Sequence, residues 1–295
     1  MIDDSLSGKL GNGARGNPPT AVSTHEFISR GDTTLRVALG EYDTGWLDPE
    51  TSLDRAAVCV ARAASGGARL VVLPEMCTTG FTMEPKRWAE GIDGPSFARL
   101  STLAAIHDLW LMAGIAMRTE AGNANVAAVF NPEGSLVASY AKQRLFSVAG
   151  EAEQYRAGTL PAVIDIDGVR VSPFVCYDLR FPELFRAAAP WSDLIVVIAN
   201  WPAIRRAHWD ALLPARAIEN LAYVAGVNRT GIAGGIQYDG GSAAYDPWGL
   251  PASRCGAVES PSIVDVSSAR VASIRAEYPF LDDLTGHASL GESTA

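Results

Sequence analysis

From Leu35 onward the chain alternates between short β-rich runs and helical patterns, which restricts it to an α/β layered domain. LRVALGEY (35–42) reads as a first strand, and residues 52–64 put Leu53, Ala57, Val60, Ala61 and Ala64 on one helical face. Gly66-Gly67 ends that helix, and the apolar run Leu70 to Leu73 follows as a strand. The pattern recurs with Ser96 as a helix cap, a helix to about His107 and a strand over 109–117. Its character then changes. NVAAVF, the turn NPEG and SLVASY form a hairpin signal, repeated by PAVIDI, the turn DG and VRVSPFVCY, so antiparallel pairing enters and the sheet is mixed. A helical stretch over 182–189, a strand over 193–200, a helix over 209–221, a strand over 223–230 and a hairpin around DPWG complete the pattern. Pro214 interrupts the second of these helices, which must begin there or kink. Hairpins combined with crossover helices suggest two sheets packed face to face with helices outside; one large sheet is the alternative.

With 295 residues, 48% of them hydrophobic and 19% charged, the chain can bury one large core. Gly and Pro are scattered singly after residue 34, so no linker divides it and one domain is expected. Residues 1–34, rich in Gly, Ser, Thr, Asn and Asp, read as a disordered N-terminal tail, 35–285 as the domain, and 286–295 as a C-terminal tail. A net charge of -9 argues against a binder of nucleic acid or anionic membrane, because both need a positive field. The longest apolar runs, such as Leu194 to Ala199, fall far short of the roughly 20 residues that cross a bilayer, so a cytoplasmic location is expected. Cys59, Cys77, Cys176 and Cys255 form no C-x-x-C pair, and His25, His107, His208 and His287 are equally dispersed. Neither a disulfide framework nor a metal site is indicated.

Cys176 closes a β-rich run and is followed by the polar turn Tyr177-Asp178-Leu179-Arg180 and by Pro182, which suits a first helical turn. At such a strand-to-helix elbow, nearby amide groups are expected to lower a thiol pKa and to bind an oxyanion. A cysteine taken alone is more often a small buried hydrophobe, as Cys59 on its apolar helix face suggests. Glu75 ends the run Leu70 to Pro74, where a carboxylate is costly unless it meets a site or a partner. Lys142 stands just beyond the strand SLVASYA. No histidine accompanies these residues, so a carboxylate must supply the base while an ammonium balances charge at an oxyanion.

LPEMCTTGF (73–81), YAKQRLF (140–146) and VCYDLRFPELFR (175–186), joined by ANWP (199–202) and ARAIEN (215–220), together resemble the carbon-nitrogen hydrolase, or nitrilase, superfamily. The later fragments look most like its omega-amidase branch. The resemblance covers about residues 35–285 and implies a four-layer α-β-β-α sandwich with two mixed sheets, assembled into homodimers or larger homo-oligomers through outer helices. It implies cofactor-free hydrolysis of a small amide, with Glu75 as general base, Lys142 as oxyanion stabiliser, Cys176 as nucleophile and the Tyr177 amide completing the oxyanion hole. A second glutamate that supports substrate placement falls on Glu151, with Glu153 as the other candidate. Arg144 stands where the family more often has histidine, which bears on substrate preference.

The substrate expected on these grounds is a short ω-amide of a keto or amino dicarboxylic acid. Its carboxylate would meet Arg144 or Arg180, because a planar guanidinium matches carboxylate geometry. Phe81, Phe146, Tyr177 and Trp201 are candidate pocket walls, although aromatics serve equally as core. N-carbamoyl amino acids, aliphatic amides and deaminated glutathione are accessible to the same triad; nitriles are less favoured. An idle oligomeric binding module would require loss of a triad member, and all three are present.

Overall fold

Every residue of the run Leu70–Leu73 is fully buried, because its strand has protein on both faces. Leu70 and Val72 join Val37, Val171 and Val196 in one core, while Val71 and Leu73 join Val60 and Leu100 in another. That alternation places a sheet between two layers. The computed structural model describes residues 32–159, 161–255 and 261–286.

In chain order the elements are β1 (Thr34–Leu39), α1 (Pro49–Ser65), β2 (Leu70–Val72), α2 (Pro85–Trp88), α3 (Pro95–His107), β3 (Trp110–Thr119), β4 (Gly122–Phe130), β5 (Leu136–Ala141) and α4 (Glu151–Gln154). There follow β6 (Ile164–Ile166), β7 (Val169–Val175), α5 (Pro182–Ala188), β8 (Leu194–Ala199), α6 (Arg206–Asn220) and β9 (Tyr223–Asn228). The last are β10 (Thr230–Ala233), β11 (Ile236–Asp239), β12 (Ala243–Tyr245), β13 (Pro251–Arg254), β14 (Ser262–Ser267) and α7 (Ser268–Glu277).

Two six-stranded sheets result, ordered β14-β1-β2-β3-β4-β5 and β13-β12-β9-β8-β7-β6. Each has a parallel centre, β1-β2-β3 and β7-β8-β9, flanked by antiparallel strands, so both are mixed as expected. Helices α1 and α3 cover the first sheet through Ala56, Val60, Phe97 and Leu100. Helices α5 and α6 cover the second through Phe185, Trp209, Leu213 and Ala217, each large side chain contributing about 1.5–3 kcal/mol of burial. The layers are therefore α-β-β-α, and the single-sheet alternative is excluded.

Several expectations need correction. Ser96 is not a cap: α3 starts at Pro95 after Gly94, and Ser96 bonds Glu90 from the first turn. Helix α6 starts at Arg206 and runs through Pro214. The strand expected over 223–230 ends at Asn228, and the chain then folds into the hairpin β10-β11 around Gly234-Gly235, both at positive φ. Strand β14, beside β1, and helix α7 had no counterpart in the sequence pattern. The expected tails, 1–34 and 286–295, lie outside the described residues except at 32–34 and 286. Among the described residues, no helix is long and apolar enough to cross a membrane.

Candidate active site

The ends of parallel strands in the two sheets meet, as is usual for ligand sites in α/β sheets. Glu75 follows β2, Lys142 follows β5, Cys176 follows β7 and Asn200 follows β8. The Glu75 loop lies directly on β3, where Gly114 lacks a side chain; a Cβ there would collide with the backbone of Pro74 and Glu75.

Glu75, Lys142 and Glu151 are all fully buried. Lys142 Nζ donates to Glu75 Oε1 at 3.0 Å and to Glu151 Oε2 and Oε1 at 2.8 and 3.1 Å. Asn125 Nδ2 bridges the same two carboxylates, at 2.7 Å from Glu75 Oε1 and 2.8 Å from Glu151 Oε1. The backbone amide of Asn200 donates to Glu75 Oε2 at 2.8 Å, and that of Phe146 to Glu151 Oε2 at 2.6 Å. Burial alone would drive the ammonium toward its neutral form, but the two carboxylates outweigh it and hold Lys142 above its ordinary value. The Lys142 ammonium also lies 5.1 Å above the Phe81 ring.

Cys176 is half-buried and adopts φ +47°, a conformation that strains a residue with a side chain. It opens a short 3-10 turn, Cys176–Arg180, and as the following residue Tyr177 carries one of the amides that such a turn leaves without an internal acceptor. The thiol lies 3.9 Å from the Asn200 carbonyl oxygen. Its pKa is pushed well up, chiefly by burial and next by the negative charge of Glu75, with Lys142 opposing. This reverses the lowering expected from the elbow alone: two buried carboxylates are near, and nearby amides do not compensate. The resting group is a thiol that requires a base. Cys77 is fully buried in the first sheet's outer core, and burial pushes its thiol up to about 12.

The elbow and the lysine loop are tied together by Asp178, which the sequence reading had taken only as part of a polar turn. Its buried carboxylate accepts from the amides of Val175 (3.0 Å), Arg144 (2.8 Å) and Gln143 (3.2 Å) and from the Tyr140 hydroxyl (2.9 Å). Burial raises its pKa to about 6 despite those donors.

A cavity of about 220 Å³ opens over Cys176. Phe81, Phe146, Tyr177, Arg180 and Trp201 line it as expected, together with Asn200, Arg205, Ile236 and Tyr238. Arg144 does not. Its guanidinium is turned outward, paired with Glu183 at 3.2 Å and set over Phe181 at 5.3 Å, so the idea that it clamps a substrate carboxylate is corrected. Glu153 is exposed, whereas Glu151 is the glutamate that meets Lys142. Among the described residues, no group of three or more His, Cys, Asp or Glu is placed to hold a metal ion.

The sequence model of the family described as carbon-nitrogen hydrolase matches residues 36–276. The chain belongs to that family. Among curated carbon-nitrogen hydrolases and their kin, it is 37% identical over 254 residues to omega-amidase YafV of Escherichia coli K12, covering 84% of this chain and 96% of that protein. It is 31% identical to 2-oxoglutaramate amidase of Bacillus subtilis, covering 83% and 95%. A solved CN-hydrolase superfamily protein of Xanthomonas campestris with an arsenic adduct in its active site superposes with a TM-score of 0.80 at 36% identity, covering 88% of this chain and all of that one. A mutant amidase from Nesterenkonia sp. AN1, carrying acrylamide on its active-site cysteine, superposes at 0.72 with 29% identity over 82% of this chain and 97% of that one.

Proposed function

We propose that this carbon-nitrogen hydrolase is a cysteine amidase that converts a small ω-amide of a keto or amino dicarboxylic acid to the carboxylate and ammonia. The observation that carries the reading is the fully buried Lys142 held between Glu75 and Glu151, beside a half-buried thiol at a cavity. The names of the similar omega-amidase and 2-oxoglutaramate amidase support the substrate class.

Glu75 takes the Cys176 proton as sulfur attacks the amide carbonyl, and Lys142 with the Tyr177 amide stabilises the oxyanion. The tetrahedral adduct collapses, the C–N bond breaks, and ammonia leaves with the proton from Glu75. Water, deprotonated by Glu75, then attacks the thioester; the acid departs and the thiolate recovers its proton. Glu151 holds Lys142 charged throughout and, through Asn125, steadies Glu75. We place the enzyme in the cytoplasm, as a homo-oligomer assembled through its outer helices.

The test is ammonia release across ω-amides, carbamoyl amino acids, aliphatic amides and nitriles, with mass spectrometry of the trapped enzyme. An acyl adduct absent from Cys176→Ala supports the reading. Release of ammonia that survives Cys176→Ala, or no release from any ω-amide, overturns it.

A further inference from the structure

Three arginines stand near the cavity, and their guanidinium groups are engaged very differently. Arg144 is paired with Glu183 outside the cavity. Arg180 lines the cavity, but its Nη2 is 3.0 Å from His208 Nδ1 and its guanidinium stacks 4.9 Å from the Trp201 ring. Arg205 also lines the cavity, and among the described residues its guanidinium has neither a carboxylate partner nor a hydrogen-bond acceptor. Its chain neighbour Arg206 is tied to Asp210 at 2.8 Å and Asp239 at 3.5 Å. Of this adjacent pair, the free donors therefore belong to the residue that faces the site.

Arg205 is also held in place. Its amide donates to the Pro202 carbonyl at 2.9 Å, and its own carbonyl accepts from the Trp201 indole at 2.8 Å, so a wall of the cavity fixes its backbone. The guanidinium lies 5.2 Å from the centre of the Phe146 ring, within cation–π reach, a contact that occupies none of its donors with an oxygen or nitrogen acceptor. Tyr238, another lining residue, is within electrostatic reach of both Arg205 and Cys176, so the cation and the thiol address one small space.

We propose that Arg205 is the anchor for the distal carboxylate of the substrate and sets a preference for monoamides of dicarboxylic acids over neutral amides. This rests on the amidase reading above and identifies a residue that selects its substrate class. A charged, planar carboxylate supplies the acceptors that the protein withholds from Arg205, and the two-point contact fixes the distance from that end of the substrate to the amide carbon at Cys176.

The experiment compares Arg205→Met, Arg205→Lys and Arg180→Met with the unaltered enzyme on two substrates of equal chain length, a monoamide of a dicarboxylic acid and the corresponding neutral amide. For the acid, Arg205→Met should lower kcat/KM on the order of 100-fold, mostly through KM. Hydrolysis of the neutral amide should stay within about twofold, and Arg205→Lys should recover part of the loss. Equal losses on both substrates, no loss on either, or a selective loss in Arg180→Met alone overturns the assignment. If the unaltered enzyme releases ammonia from neither substrate, the amidase reading itself fails; that result is separate from any behaviour of the Arg205 variants.

Discussion

Lys142 donates to both oxygens of Glu151 but to only one oxygen of Glu75. In the proposed mechanism Glu151 is thus the standing counter-ion, and Glu75 uses for moving protons Oε2, which accepts from the Asn200 amide and side chain and not from Lys142. Exchanging Glu151 for Gln removes one of two charges that keep the ammonium protonated in a dry site. The expected result for Glu151→Gln is a fall in kcat of about 100-fold or more with a smaller change in KM, by comparison with the loss of an oxyanion donor. Steady-state kinetics with kcat near that of the unaltered enzyme would contradict this division of labour.

Asp178 gives a pH-dependent prediction about stability. Its pKa rises from 3.8 to about 6 on burial, so the folded protein binds the proton more tightly than the unfolded chain. The contribution of Asp178 is most favourable below about pH 4 and is lost as pH rises to about 6, a change of about 3 kcal/mol. Asn at this position does not titrate. Urea unfolding at pH 4 and pH 7 should therefore show the advantage of the native protein over Asp178→Asn shrinking by roughly that amount. A difference that is the same at both pH values would refute it.

Arg144 marks where sequence and structure part. Its place beside the lysine motif made it a candidate for the substrate, yet a backbone amide bonded to Asp178 and a side chain paired with Glu183 direct it outward. Arg144→Ala should leave KM for an ω-amido acid within about twofold and cost less than about 1 kcal/mol of stability, as exposed ion pairs do. A large rise in KM would restore Arg144 to the site.

The β and α periods of the chain made most strands and the layered fold legible, because doubly buried strands such as Leu70–Val72 and Leu194–Ala199 are continuous apolar runs. Glu75, Lys142 and Cys176 were legible through their motifs, and all three lie at strand ends in the structure. Asn125 was not. It opens an apolar run, and nothing local distinguishes an asparagine that bridges two buried carboxylates from one that starts a strand. Arg205 was equally hidden, because the role proposed for it rests on the partners its guanidinium lacks among the described residues, which only three-dimensional placement reveals. The rise in the Cys176 pKa depends likewise on three-dimensional placement, first on burial and then on Glu75, about one hundred residues away in sequence.

Cys176 holds φ +47°, which costs about 1–3 kcal/mol for a residue with a Cβ but little for glycine. Two inactive variants separate strain from chemistry. Cys176→Gly should unfold at a higher temperature than Cys176→Ala, by a margin equivalent to about 1 kcal/mol, although glycine ordinarily lowers stability relative to alanine. Calorimetry showing the alanine variant equal or superior would mean that the elbow is unstrained.

Glu75 raises the thiol pKa while serving as the group proposed to remove its proton, so its two effects can be separated. After burial, its charge is the next contribution holding Cys176 up, and Lys142 acts in the opposite direction. In Glu75→Gln the raising charge disappears while the Lys142 ammonium remains. The Cys176 thiol should therefore titrate at lower pH than in the unaltered enzyme, read from thiolate ultraviolet absorbance against a Cys176→Ala blank, even as turnover falls by about 1,000-fold or more for want of a base. The variant would have more thiolate at neutral pH and less activity, which separates proton transfer from simple thiolate content. If its titration is unchanged or moves upward, the charge of Glu75 does not govern the thiol, and another group must be sought for the proton.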